Sequence, residues 1–460
     1  MSVKIRLIDA DLLDGGTRHP NLAQMKIARY CIEKGCDISL LFGDKLTDLN
    51  QYDLIIISKV FDFTKLPVNL RHISHLKETD LRKFNLDVGD VVDDTVEGKP
   101  HPHIIIGGTG FFFDNKVKLP QRIEHLMPYY DLYTEFINHQ ITNGYRTRAY
   151  YKDYLDFSIG FTTRGCFRHC SFCVNKDSNR VVKHSPVKEF FDPNRPKIYL
   201  WDDNFLGFGG WRQILEELTE TGRQFQFRQG LDIRLMTEEK AKALSKSRYY
   251  GDFIFAFDHI EEKEDITRGL KIWRKYCHKE TKLYVLTGFD AWNIDGKYPM
   301  KSEEGDIRTT FERIAILMDY HCLPYVMRHK DFAKGEFKGV YTQLARWCNQ
   351  PSIFKKMSFR QFCERNQYYA NSKKPCASMR AFHLLEERLP DVVEKYCDLR
   401  FEDFKPTYGK GMVEVPIIMM SRTVAAMPEI CSSYTACEVS MSDMGTIRKK
   451  PKRKNNKSKR

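Results

Sequence analysis

The stretch Thr162–Cys173, "TTRGCFRHCSFC", decides how the rest of the chain is read. Three cysteines, Cys166, Cys170 and Cys173, fall within eight residues in the spacing C-x3-C-x2-C, and the aromatic Phe172 precedes the last of them. Thiolates bind soft metals, so a metal site is the first reading. Structural zinc wants four ligands, usually as two pairs that close a loop. Cys170 and Cys173 could form one pair, with Cys166 and His169 supplying the rest. No ordered second pair follows at a matching distance, and a site built within eight residues leaves no loop to staple. An iron–sulfur cubane fits better. Each iron takes one thiolate, so three cysteines leave one iron open to a substrate or cofactor. Gly165 lets the backbone come close, and Arg164, Arg168 and Lys176 put cations around the thiolates.

Outward from this stretch the chain alternates strands and helices. Strand-like runs are expected at 157–163, 197–203, 225–231, 252–258, 282–288 and 323–329, with helices at 211–221, 237–246, 264–277 and 306–319 between them. Six β/α units are too few for a closed eight-stranded barrel and suit a partial (β/α)6 barrel. The cysteines follow its first strand, on the face where βα loops build active sites. Upstream, strand-like runs at 3–9, 36–42, 52–58 and 103–108 and a helix at 21–35 predict an N-terminal Rossmann-like, doubly wound domain over residues 1–150. Residues 68–102 read as a polar insertion. The barrel is expected over 151–330 and a mainly helical C-terminal region over 331–440, in which 415–420 could be one more buried strand. The class is α/β throughout.

Composition narrows the function classes. The chain has 460 residues, 42% of them hydrophobic, enough for sizeable cores. Its first residues hold no apolar run of the signal-peptide kind, and no stretch reaches membrane-spanning length. The expectation is a soluble, cytoplasmic protein with no membrane partner. The other ten of the 13 cysteines are scattered, so buried free thiols are expected there. The net charge of +13 is mostly terminal: residues 448–460 carry nine Lys or Arg and no acid, which leaves +4 for the remaining 447 residues. The tail, 441–460, reads as a disordered basic segment that either holds RNA phosphates or only solubilises the chain.

C-x3-C-x2-C with an aromatic before the last cysteine, placed after the first of six β/α units, resembles the radical S-adenosylmethionine (SAM) superfamily. The resemblance implies a [4Fe–4S] cluster held by Cys166, Cys170 and Cys173, whose open iron chelates SAM. It implies reductive cleavage of SAM to a 5′-deoxyadenosyl radical that takes a hydrogen atom from substrate, and an electron donor of flavodoxin or ferredoxin type. It also implies cofactor-binding positions. Asp202 and Asp203 stand where the second strand's polar motif, often Gly-Gly-Glu, would hold the SAM amino group. Gln229, Asp232 and Arg234 follow the third strand, where a carboxylate would bind ribose hydroxyls and Arg234 the SAM carboxylate. Gly288 follows the fifth and would let adenine approach the backbone.

The first domain resembles the cobalamin-binding domain that precedes the barrel in many members, "IIIGGTGFF" (104–112) standing for its Gly-Gly turn. Yet the cobalt-ligating Asp-x-His-x-x-Gly is not met: with Asp9 as its first residue, Asp11 replaces the His and Asp14 the Gly. Cobalamin is therefore expected to bind weakly or not at all. The methylthio-transferring branch carries three additional N-terminal cysteines, and this domain offers Cys31 and Cys36. The substrate is left open among peptide, small molecule and RNA. The alternative is a metal-stapled nucleic-acid-binding protein, or an RNA-modifying radical SAM enzyme that uses the basic tail.

Overall fold

A computed structural model describes residues 2–17, 19–43, 51–66, 95–96, 99–100, 103–112, 118–175, 178–294, 296–365, 367–368 and 374–404. Lys176, the run 415–420 and the tail lie outside the described residues, as does most of the insertion at 68–102. The chain divides into two compact units that meet in sequence at Asp156 and Phe157.

The first unit is built on a parallel sheet in the order β2-β1-β3-β4: β1 Lys4–Asp9, β2 Asp37–Leu40, β3 Leu54–Ser58 and β4 His103–Gly107. Ile5 and Leu7 belong to a hydrophobic cluster on one side of β1, Ile8 to another on the other side, as expected of a parallel sheet buried on both faces. The helix Leu22–Glu33 is capped by Asn21, whose side chain accepts from the Gln24 N–H, and is followed by Gly35 at φ +77°.

Asp9 ends β1 and caps the short helix Ala10–Asp14, accepting from the Leu12 N–H and from the Tyr133 hydroxyl at 2.8 Å. Burial pushes its carboxyl from 3.8 up to about 6, against the pull of Tyr133. The folded chain therefore keeps this proton between about pH 4 and 6, where the unfolded chain has shed it. Asp9's contribution is present at low pH and lost as pH rises through 6. Asp9→Asn, which keeps the cap, should gain about 3 kcal/mol relative to the parent between pH 4 and pH 7.5. Denaturation midpoints of both proteins at the two pH values measure this, and parallel pH profiles would refute it.

The second unit holds six parallel strands in two sheets: β9-β8-β5 and β10-β11-β12. These are β5 Phe157–Gly160, β8 Lys197–Leu200, β9 Gln224–Phe227, β10 Phe253–Ala256, β11 Thr281–Thr287 and β12 Leu323–Arg328, while β6 Thr163–Arg164 and β7 Val182–Lys183 form a hairpin between β5 and β8. Bridges at Phe225–Tyr249 and Leu231–Phe255 join the two sheets, so the six strands follow one another in chain order. One face packs on helices through Ile198, Leu200, Phe225, Phe227, Phe253 and Leu283. Tyr199, Gln226, Tyr284 and Tyr325 lie on the other face by register. The expected first strand, 157–163, breaks at Phe161–Thr162, where the chain leaves the sheet for the hairpin. Helices beyond β12 share the same core: Trp347, Phe359 and Phe382 belong to one cluster with the strands.

Candidate cofactor site

The hairpin β6–β7 is the stem of the loop that carries the cysteines, with Thr163 opposite Lys183 and Arg164 opposite Val182. Cys166, Cys170 and Cys173 are half-buried. Two left-handed residues shape the loop: Gly165 at φ +94° and His169 at φ +50°. A Cβ on Gly165 would stand 2.4 Å from the Arg180 carbonyl oxygen and 2.5 Å from Ser178 Oγ, so only glycine fits. Gly165→Ala should cost on the order of 2–3 kcal/mol and lower metal loading of the loop. Unchanged iron content and thermal midpoint would count against this account.

Three consecutive residues after β8 hold the loop. Asp202 is 1% exposed, and its carboxylate accepts from the Thr162 N–H and hydroxyl (3.1 and 2.6 Å) and from the Thr163 N–H and hydroxyl (2.6 and 2.7 Å). Burial raises its carboxyl to about 6 despite these four donors. Asp203 accepts from the Gly165 N–H at 2.7 Å and from Asn175 Nδ2 at 2.6 Å. Asn204 Nδ2 points at Cys166 Sγ, 3.5 Å away, and the Asn175 N–H at Cys173 Sγ, 3.4 Å away. N–H groups directed at sulfur are the usual surroundings of a metal-bound thiolate, so the donor set suits a thiolate-ligated cluster.

Among the described residues, His259, Glu261 and Asp290 bring three potential ligand atoms within 4.8 Å of one another. At the His259 group the cation is already supplied: Lys301 Nζ lies 2.9 Å from Glu261 and 2.7 Å from Asp290. Lys301 also closes a loop on itself, its N–H donating to the Asp290 carbonyl at 2.8 Å. Between these two residues Trp292, Ile294 and Met300 are exposed.

Phe172 reaches across to the other sheet. Its ring meets Phe289, beyond β11, edge-on at 5.4 Å and His259, beyond β10, at 5.9 Å. Arg168, between Cys166 and Cys170, pairs with Asp232 at 2.8 Å. Asp232 also takes Arg234 Nε at 2.6 Å, and Arg234 passes on to Glu262. Burial alone would raise Asp232; Arg234 and Arg168 outweigh it and hold the carboxyl below its ordinary range. Gln229 is exposed beyond β9. Gly288, at φ +70°, gives its N–H to Asp306 at 2.7 Å, and a Cβ there would meet Phe332 at 2.5 Å. Asp202, Asp203, Asp232 and Arg234 thus all bear on the cysteine loop, while Gly288 lies against Phe332. Sequence reasoning did not single out Asn175, Asn204, His259 or Glu262. The run Asp202-Asp203-Asn204, three polar residues at a strand tip, was the available signal.

In the first unit Asp11 is buried and committed: it accepts from the Val60 N–H at 2.6 Å, the Phe61 N–H at 3.3 Å and the Thr64 hydroxyl. Asp14 accepts from the Lys65 N–H. Cβ atoms on Gly108 and Gly110 would meet the Lys59 and Phe61 carbonyl oxygens at 2.2 and 2.6 Å, so these glycines admit neighbouring backbone. Of the scattered cysteines, Cys31, Cys277, Cys322, Cys348, Cys363, Cys376 and Cys397 are buried and Cys36 is half-buried. Burial pushes Cys31 and Cys397 up to about 12.

No family model matches the chain, and no curated protein matches it. Two solved structures are similar. One is the radical SAM methyltransferase TsrM from Kitasatospora setae, with cobalamin and a [4Fe–4S] cluster bound: 14% identity, 71% of this chain, 72% of that chain, TM-score 0.43. The other is the cobalamin-dependent SAM radical enzyme OxsB with aqua-cobalamin bound: 13% identity, 86% of this chain, 56% of that chain, TM-score 0.30. The cysteine motif and the strands around it resemble the radical SAM superfamily. Likenesses this distant add nothing to that reading. Among the described residues, no helix is long and apolar enough to cross a membrane.

Proposed function

We propose that the chain is a radical SAM enzyme. The observation that carries this is the loop itself: three half-buried cysteines after the first of six parallel strands, with N–H groups directed at the sulfurs of Cys166 and Cys173. When bound, a [4Fe–4S] cluster would pass one electron to SAM and yield a 5′-deoxyadenosyl radical. The chain's own residues do the rest. Cys166, Cys170 and Cys173 would hold three irons. Asp202 and Asp203 fix the loop that presents them, and Gln229, beyond β9, is free to meet the nucleotide cofactor from the strand ends. Phe172, backed by Phe289 and His259, closes one side of the site against water. A flavodoxin- or ferredoxin-type carrier would deliver the electron.

The test is anaerobic reconstitution of the full chain with iron and sulfide, then reduction with SAM. 5′-Deoxyadenosine and methionine are the expected products; a loaded, reducible cluster that leaves SAM intact would refute the assignment. A mass-spectrometric search for modified peptides, small molecules and RNA then identifies the substrate. For the first unit we propose a scaffold role with weak or no cobalamin binding, because Asp11 stands where the axial His would be and is bound to the loop after β3. Tight, stoichiometric cobalamin on the full chain would overturn that and favour methyl transfer.

A further inference from the structure

The four charges beside the cysteine loop form one chain of ion pairs: Arg168 to Asp232 at 2.8 Å, Asp232 to Arg234 at 2.6 Å, and Arg234 on to Glu262. All are shielded, with side-chain exposures of 23% for Arg168, 7% for Asp232, 14% for Arg234 and 9% for Glu262. Salt screens such groups little, and their fields act at short range in a low dielectric. Geometry fixes them twice over. Asp232 also accepts from the Arg234 N–H at 3.2 Å, so carboxylate and guanidinium share one tight turn. Arg168 belongs to the cysteine loop, so that turn is tied to the loop. Asp232 and Arg234 each have charged partners within this chain of pairs.

We propose that Asp232 and Arg234 are positioning residues for the cluster and not ligands of SAM: Asp232 docks the cysteine loop through Arg168, and Arg234, held against Asp232, sets the electrostatic field beside that loop. This rests on the radical SAM reading of the same site. Reducing a cluster by one electron adds one negative charge to it. A fixed cation nearby stabilises the reduced form and raises the midpoint potential, and a fixed anion lowers it. The two residues therefore act with opposite sign.

The experiment is an EPR-monitored redox titration of the reconstituted full chain, with dithionite as reductant and no SAM present. Arg234→Gln should move the midpoint to more negative potential and Asp232→Asn to more positive potential. The charge-retaining Arg234→Lys and Asp232→Glu should stay near the parent. The double neutral variant, which removes one charge of each sign, should fall between the two single ones. A residue that merely held the fold together would give no such signed pattern. Shifts in the same direction, or neutral and charge-retaining variants that shift alike, would overturn the proposal. If the neutral variants fail to load iron, the charge-retaining pair decides: a parent-like midpoint supports it and a displaced one defeats it. A parent chain that binds no cluster would instead defeat the radical SAM reading, a separate failure visible before any variant is made.

Discussion

Anaerobically reconstituted protein is expected to be brown and to carry about four irons per chain, and Cys166→Ala, Cys170→Ala or Cys173→Ala should each abolish it. The effect is large because each cysteine would supply one of the three thiolates that hold the cluster. Asn175 and Asn204 face the sulfurs as donors, not as ligands. Iron and sulfide analysis with absorption spectra reads the outcome. A single-cysteine variant that keeps a full cluster would sink the assignment. Iron clearly above four in the parent, partly retained in all three variants, would point to an auxiliary site elsewhere in the chain.

The second large effect is expected at Asp202. Replacing it with alanine strands four donors, the N–H and hydroxyl groups of Thr162 and Thr163, in a buried place. Each unsatisfied buried group costs about 1–3 kcal/mol, so even with partial rescue by water the loss should be on the order of 3 kcal/mol or more. The stem of the cysteine loop begins at Thr163, so iron loading should fall with stability. Asp202→Asn should lie between parent and alanine variant, because one amide oxygen still takes the three donors now on Oδ1 while the amide group faces the Thr162 N–H. Thermal midpoints and iron content of the three proteins test this. An alanine variant that loads iron like the parent and loses only SAM affinity would return Asp202 to the nucleotide.

Much of the architecture was legible. The helix expected at 211–221 is Trp211–Glu220, and the strand expected at 282–288 is Thr281–Thr287, because apolar periodicity in buried β/α units is strong. The cysteine loop and its aromatic were legible for a different reason: short-range spacing is a local property. What local reading misses is the allocation of lone pairs. Asp202, Asp203, Asp232 and Arg234 were all visible as polar residues at strand tips. Whether each turns to a ligand or to the loop beside it depends on neighbours 28 to 64 positions away in the chain. The same holds for Phe172, whose contacts with His259 and Phe289 join residues from separate β/α units. Asp11 is the converse: the departure from the cobalt-binding pattern was plain, while its service to the backbone of Val60 and Phe61 needed the fold.

The bonds between Asp290 and Lys301 make the segment they enclose a cassette. Its two ends are held by each other, so a change of length between them need not displace β11 or the helix Glu303–Asp319 that follows. Loop closure is forgiving of such changes, at about 0.6 kcal/mol for each doubling of length. The segment opens from the end of a strand on the side where the cysteines lie, and it presents Trp292, Ile294 and Met300 to solvent. It is a place where this scaffold can be re-specified by grafting: a foreign segment inserted between the two clasping residues leaves the cysteine-bearing half of the unit as it is.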